Sequence, residues 1–268
     1  MGNYNLRFDD YDLAATLDCG QCFSFSENPD GSWSGVALDR HITIRQDGDL
    51  ILYEGCDEED FEQRFAHFFG MDDDYSGIKD LLSRDPTLKK AIQYSPGIRI
   101  MHQPLWETTL SFIVSQNNNI PRIKGILAKM RSKWGEHMDG YDLFPSADSL
   151  AGLSEEDLAD LRCGYRAPYI LDCAARFSDG SVDQKTIMNG ILDDAREELR
   201  KIKGIGPKVA DCTLLFGAYR LEAFPVDVWM KKCLSAMYPD GIPDFVRPYA
   251  GIAQQYLFHY SRTSGIFD

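Results

Sequence analysis

The stretch LRKIKGIGPKVADCTLLFGAYRLEAFPVDVWM, residues 199–230, decides how this chain is read. Just upstream and into it, Asp193 to Ile202 places acids first, bases last and apolar residues at helical spacing, which predicts a helix with favourable dipole placement. Gly204-Ile205-Gly206 ends that helix in a tight turn. Glycine tolerates positive φ and lets foreign backbone come close, Ile205 can bury as a plug, and Pro207 suits the first position of a new helix. A second helix is predicted from about Lys208 to Ala218, so a helix-hairpin-helix spans about 193–218. Two helices joined in this way aim unpaired backbone N–H groups outward, an arrangement that grips a phosphate without reading a base. Gly204 and Gly206 are therefore the candidate phosphate-binding positions.

Lys208 falls in the first turn of the second helix, where the positive end of the dipole and partial burial both disfavour an ammonium, so a nucleophilic amine is expected. Nineteen residues on, in Pro225-Val226-Asp227-Val228, Asp227 is placed to cap a further helix and to stay ionised through backbone N–H bonds. An amine and a fixed carboxylate on one cleft would suit attack on an electron-poor carbon with oxocarbenium character, with a Schiff base as product. Taken singly, each residue could equally be a surface lysine and an ordinary cap. Together, Ile202-Lys203-Gly204-Ile205-Gly206-Pro207-Lys208-Val209-Ala210 and Pro225-Val226-Asp227 resemble the helix-hairpin-helix DNA glycosylases, whose catalytic segment reads L-P-G-[VI]-G-x-K-x-A followed by [VP]-V-D. That resemblance implies that Lys208 is the Schiff-base lysine and Asp227 the catalytic aspartate.

Working outward, 268 residues with 44% hydrophobic content suffice for one large or two to three small domains with a sizeable core. No run approaches the roughly 18 apolar residues of a membrane span, and the polar, acidic start is unlike a signal peptide, so an intracellular protein without a membrane partner is expected. Seven cysteines, an odd number spread along the chain, fit reduced thiols, and Cys19-x-x-Cys22 lacks the partners of a zinc site. The net charge of −14 argues against a nucleic-acid partner until its distribution is examined. Residues 1–97 hold 8 Lys and Arg against 20 Asp and Glu, whereas residues 98–268 hold 20 against 22. A basic face is still available to the second part, with Arg122, Lys124, Arg162, Arg166, Lys201 and Lys203 as candidates.

In the first third, residues 20–26, 33–38, 41–46 and 50–54 alternate between turn signals and predict an antiparallel sheet. From Glu58 onward Phe61, Phe65, Phe68 and Phe69 recur at helical spacing. Asp72-Asp73-Asp74 is read as a helix end or loop, since no complementary ligand set is visible nearby. Ser95-Pro96-Gly97 marks the expected boundary between an N-terminal sheet domain, 1–97, and a helical region, 98–268. Beyond it, Pro104 to Gln116, 120–134 and Ala167 to Phe177 carry helical patterns. The fold class is α+β, with a helical part whose two subdomains flank a central cleft.

Six segments narrow the resemblance to the 8-oxoguanine DNA glycosylase family, over about residues 18–260. They are Gly20-Gln21-x-Phe23, Ser115-x-Asn117-Asn118-Asn119-Ile120-x-Arg122, Gly164-Tyr165-Arg166-Ala167-x-Tyr169, Lys208-Val209-Ala210-Asp211-Cys212, Pro225-Val226-Asp227-Val228 and the run from Pro248 to Phe258. The resemblance implies excision of oxidised guanine from duplex DNA, followed by strand cleavage through the lysine Schiff base. It also implies that the Gly20 carbonyl accepts the N7–H found only on the oxidised base, that Gln254, Cys212 and Phe258 bind the base edge and sandwich its ring, and that Asn117, Arg122 and Arg166 serve the orphaned opposite base with Tyr165 as wedge. No metal or organic cofactor is required for such chemistry; a monovalent cation on the hairpin carbonyls stays open. A monomer acting on double-stranded DNA is expected. Two departures stand out: Trp229 where several relatives have histidine, and Lys203 in place of the usual hairpin proline, which loosens the turn while adding charge. Rival readings are an alkylated-purine glycosylase that uses Asp227 and water alone, and a non-enzymatic DNA-binding module that uses the hairpin only as a clamp.

Overall fold

The computed structural model describes residues 2–267. Strands β1 (Asn3–Arg7), β2 (Phe25–Glu27), β3 (Trp33–Ala37), β4 (Arg40–Asp47) and β5 (Leu50–Glu54) form one antiparallel sheet in the order β1-β5-β4-β3-β2. The register sets Trp33 beside Ile44 and Ile44 beside Tyr53, so one face presents a continuous apolar row. Phe61, Phe65, Phe68 and Phe69 close over that face and complete a first core. Their spacing is helical as predicted, although Phe61–Phe65 winds as a π-turn between two short α segments. All seven cysteines are buried free thiols.

Two strand expectations need correction. β1 was not anticipated, because as an edge strand it alternates exposed Asn3, Asn5 and Arg7 with only half-buried Tyr4 and Leu6. The expected strand over 20–26 survives only as Phe25–Glu27. Gly20 turns the chain with φ +79°. Gln21 then inserts its side chain, donating to the Thr16 and Arg99 carbonyls at 2.9 and 2.7 Å and accepting from the Met101 N–H at 2.9 Å. A side chain thus takes the backbone bonds that a strand partner would have supplied.

A second core is built by helices. Tyr75–Leu82 and Pro86–Tyr94 lie before the Ser95-Pro96-Gly97 break, yet Tyr75, Leu82 and Leu88 pack into the same core as Leu110 and Leu214. The two cores interleave along the chain, since Met101 belongs to the first and Ala15 and Phe23 belong to the second. At its centre the Leu105–Ser115 helix lies against Pro207–Gly217, with Phe112 stacked on Phe216 at 5.5 Å between centroids. Gly217 permits the close approach, since a Cβ there would lie 2.8 Å from Thr108. Buried Arg131 joins the two parts: its guanidinium donates to Glu107 Oε1 and Ser24 Oγ, each at 2.6 Å. Among the described residues, no helix is long and apolar enough to cross a membrane.

Candidate active site

The hairpin comprises the helices Leu192–Arg200 and Pro207–Gly217. Its two glycines serve different ends. Gly204 has φ +86°, and a Cβ there would sit 2.2 Å from the Tyr169 ring, so both conformation and space demand glycine. Gly206 has an ordinary extended backbone and open space around it, which leaves its backbone accessible from outside. Ile205 is 6% exposed and acts as the expected plug. At Lys203, which lacks proline's restriction, the free N–H donates to Asp172 Oδ2 at 2.7 Å, so a side chain secures the turn.

Pro207 is the first residue of the second hairpin helix and Lys208 the next, half-buried, with its ammonium 5.3 Å from the Phe112 ring centroid. Asp227 caps the Val228–Met237 helix, its Oδ1 accepting from the Met230 N–H at 2.7 Å. Both line one cleft of about 900 Å³ that separates the Asn117–Pro121 turn from the Val226–Trp229 segment. A smaller chamber of about 50 Å³ opens off it, and Gly20, Phe112, Lys208, Asp227 and Phe258 belong to both walls. Cys212 and Gln254 also line the chamber. Burial pushes the Cys212 thiol up to about 11, despite the Lys208 amine beside it, so the group is a neutral, weakly polar surface at pH 7. Gln254 is 5% exposed and its Oε1 is buried without a hydrogen-bond partner. Gly20 offers open space where a Cβ would be.

The four residues expected at the opposite strand gather at one rim. Asn117, in a left-handed turn at φ +46°, donates to the Tyr165 hydroxyl at 3.2 Å. Arg122 is exposed and donates to the Arg162 carbonyl at 2.9 Å, while the Tyr165 ring is 49% exposed. Arg166 differs. It is 3% exposed, and its guanidinium bonds the carbonyls of Gln116, Asn117 and Cys163. In this free form it shapes the turn that carries Asn117; its donors do not face an incoming base.

The expected basic face is also thinner than the sequence suggested. Lys124 donates to the Phe25 carbonyl at 2.5 Å, Lys201 pairs with Glu198, and Arg166 is buried, which leaves Arg122, Arg162 and Lys203 of the six candidates. Two cations missed by sequence reasoning, Lys231 and Arg262, line the cleft itself. Their spacing could have found them, since each lies one helical turn after a predicted site residue, Lys231 after Asp227 and Arg262 after Phe258. Trp229 also lines the cleft, with its Nε1 donating to Ser261 Oγ at 2.8 Å and its ring edge-on to Phe267. It thereby clamps the segment after Asp227 to the C-terminal helix.

Away from the cleft, His67, Asp72 and His102 bring their donor atoms within 4.8 Å, which supplies near the aspartate run the histidines that sequence could not foresee. The imidazole centroids lie 3.8 Å apart with the ring planes tilted by 30°. Each ring has its own carboxylate: His67 meets Asp72, and His102 meets Asp73, both at 3.0 Å.

Comparison with known proteins agrees with this geometry. Residues 4–109 match the N-terminal domain of 8-oxoguanine DNA glycosylase, and residues 110–241 match the HhH-GPD superfamily of base excision DNA repair proteins. A probable N-glycosylase/DNA lyase of Methanothermobacter thermautotrophicus is 31% identical over 244 residues, which cover 78% of this chain and 76% of that protein. The solved structure of MBOgg1 with a low-affinity DNA ligand superposes with a TM-score of 0.90 at 37% identity, covering 98% of this chain and 96% of the other. The Clostridium acetobutylicum 8-oxoguanine glycosylase/lyase, bound to duplex DNA with cytosine opposite 8-oxoguanine, gives 0.88 at 35%, covering 96% and 94%. With the sheet domain, the hairpin and the paired lysine and aspartate all in place, the chain belongs to the 8-oxoguanine DNA glycosylase family of helix-hairpin-helix base excision repair proteins.

Proposed function

We propose that the chain excises 8-oxoguanine from duplex DNA and then cleaves the strand as an AP lyase, through a Schiff base on Lys208. One observation carries this reading: a helix-start amine and a helix-capping carboxylate share a cleft with a chamber whose walls hold Gly20, Cys212, Gln254 and Phe258. The glycosylase/lyase relatives from Methanothermobacter and Clostridium support it.

In the proposed chemistry the Lys208 Nζ forms a bond to C1′ while the C1′–N9 bond breaks, its electron pair leaving with the base, which gains a proton. The resulting ammonium passes one proton to O4′ as the C1′–O4′ bond breaks and its electron pair stays on O4′, which leaves an opened sugar joined through a protonated C1′=N Schiff base. Loss of a proton from C2′ and rupture of the C3′–O bond cut the strand. Asp227 stabilises the positive charge that develops on the sugar.

At about 50 Å³ the chamber is far smaller than the cleft of about 900 Å³, so the base enters from the cleft by moving the wall that the two share. Phe258, half-buried and present on both walls, is the ring that moves and then stacks on the flipped base. Cys212 presents the opposite face as a neutral thiol, Gln254 meets the Watson–Crick edge, and the Gly20 carbonyl accepts N7–H. At the rim, Asn117 and Arg122 meet the orphaned cytosine and Tyr165 fills the emptied stack, while Arg166 holds their turn. Gly204 and Gly206 present the hairpin backbone to a phosphate. The protein acts as a monomer, wherever the cell keeps its DNA.

Borohydride reduction on an 8-oxoguanine duplex tests the reading. The wild type is expected to form a covalent protein–DNA complex and Lys208→Gln none, with undamaged-DNA affinity retained. Trapping at the wild-type level in the variant would refute Lys208, and excision without trapping in the wild type would favour a water-only glycosylase.

A further inference from the structure

Gln255 follows Gln254 on the Ala250–Thr263 helix, is 3% exposed and lines the same small chamber. Its Oε1, like that of Gln254, is buried without a hydrogen-bond partner. A buried acceptor left without a donor destabilises a fold, and buried polar groups are nearly always paired. Two such carboxamide oxygens, on successive residues that both line the chamber a flipped base is to enter, fit a ligand that brings donors of its own.

A guanine-type base has that edge: ring N1–H and the exocyclic N2 amine lie adjacent, with the O6 acceptor beyond. Gln254 stands one helical turn before Phe258, beneath the stacking ring, and so reaches the ring N–H. Gln255 is rotated by roughly 100° about the helix axis and approaches from beside it, where an exocyclic group projects. We propose that Gln255 is a specificity-determining residue whose carboxamide oxygen accepts a hydrogen bond from the exocyclic amine of the flipped base. This rests on the proposed excision of 8-oxoguanine, and it gives preference to oxidised purines that bear an amine at C2.

The test compares two duplex substrates, one carrying 8-oxoguanine and the other 8-oxohypoxanthine, the same oxidised ring without the amine, each opposite cytosine. In single-turnover excision the wild type is expected to favour 8-oxoguanine about tenfold, the size of one lost buried hydrogen bond. Gln255→Ala and Gln255→Met should lower the 8-oxoguanine rate about tenfold, leave 8-oxohypoxanthine nearly unchanged and bring the ratio close to one. Gln254→Met should slow both substrates and keep the ratio. A purely structural Gln255 would slow both equally. A second readout is thermal: since its Oε1 has no partner to lose, Gln255→Met should melt no lower than the wild type. A ratio that survives in both Gln255 variants, or a melting point several degrees lower for Gln255→Met, overturns the assignment while the proposed function stands. A wild type that excises neither substrate overturns the function and the assignment together.

Discussion

Replacing Asp227 with asparagine separates what the carboxylate does for the fold from what it does for the reaction. In the fold, Oδ1 accepts from the Met230 N–H at 2.7 Å at the start of a ten-residue helix. Asparagine caps about as well as aspartate, so that bond persists, and only the charge–dipole attraction of about 0.3–1 kcal/mol is lost. In a chain of 268 residues this corresponds to a fall of roughly 2 °C in Tm or less. For the reaction, removal of one preorganised group that stabilises developing charge costs about 2.7–4 kcal/mol, or a 10²–10³-fold fall in rate. Asp227→Ala should match that rate loss and also lose the cap, for about 1 kcal/mol of additional destabilisation. Single-turnover excision on an 8-oxoguanine duplex, thermal melts and binding to uncut lesion DNA report the three quantities separately. Excision by Asp227→Asn at the wild-type rate would refute the electrostatic role. So would a rate loss in both variants that simply tracks the loss of stability.

Three further outcomes follow from the geometry. Gly204→Ala combines the left-handed cost of about 1–2 kcal/mol with a 2.2 Å clash against Tyr169, for a total of roughly 2–5 kcal/mol; calorimetry should show the lowered Tm and undamaged-DNA binding should weaken with it. Gly20→Ala meets no atom in the free protein, so it should lose only the roughly 1–2 kcal/mol of φ strain while excision falls further, because its methyl projects into the open space that the base is to enter; equal fractional effects on melting and excision would count against this. Burial would raise the Asp73 carboxyl, but hydrogen bonds from His102 and the Tyr219 hydroxyl outweigh it and hold the group below its ordinary value. Its stabilisation is therefore present above the unfolded value near 3.9 and lost as pH falls through the lower folded one, so Tyr219→Phe should cost about 1–2 kcal/mol in melts at pH 7 and progressively less below about pH 4. An equal deficit at both pH values would refute that sign.

How much of the fold was visible in advance depended on whether one element carried its own signal. β3, β4 and β5 each alternate between turn residues and were legible, as were the two hairpin helices, because glycine, proline and the 3.6-residue period all agree there. β1 was hidden because an edge strand against a single neighbour needs little apolar content. The segment around Gly20 misled for the opposite reason. Its apolar residues are buried, yet the bonds come from the Gln21 side chain to Thr16, Arg99 and Met101, and residues 78 to 80 positions apart cannot be paired by periodicity.

The site divides along the same line. The places of Lys208 and Asp227 were readable because each sits at a helix start that its own neighbours in sequence create. Arg166 is absent from the basic face because its guanidinium is buried on the carbonyls of a turn some 50 residues away in sequence, which charge alone does not reveal. Lys231 and Arg262 each follow a named site residue by one helical turn and were within reach of the sequence, whereas Gln255 looks, in sequence, like a second copy of Gln254 with nothing to distinguish it. What marks it, as it marks Gln254, is a buried oxygen with no partner on the chamber wall, a property of three-dimensional enclosure. In a protein of net charge −14 such neutral, enclosed contacts bear more of the discrimination than long-range attraction does, because the cations left free at the cleft are few and salt screens them, while a desolvated carboxamide is shielded from both.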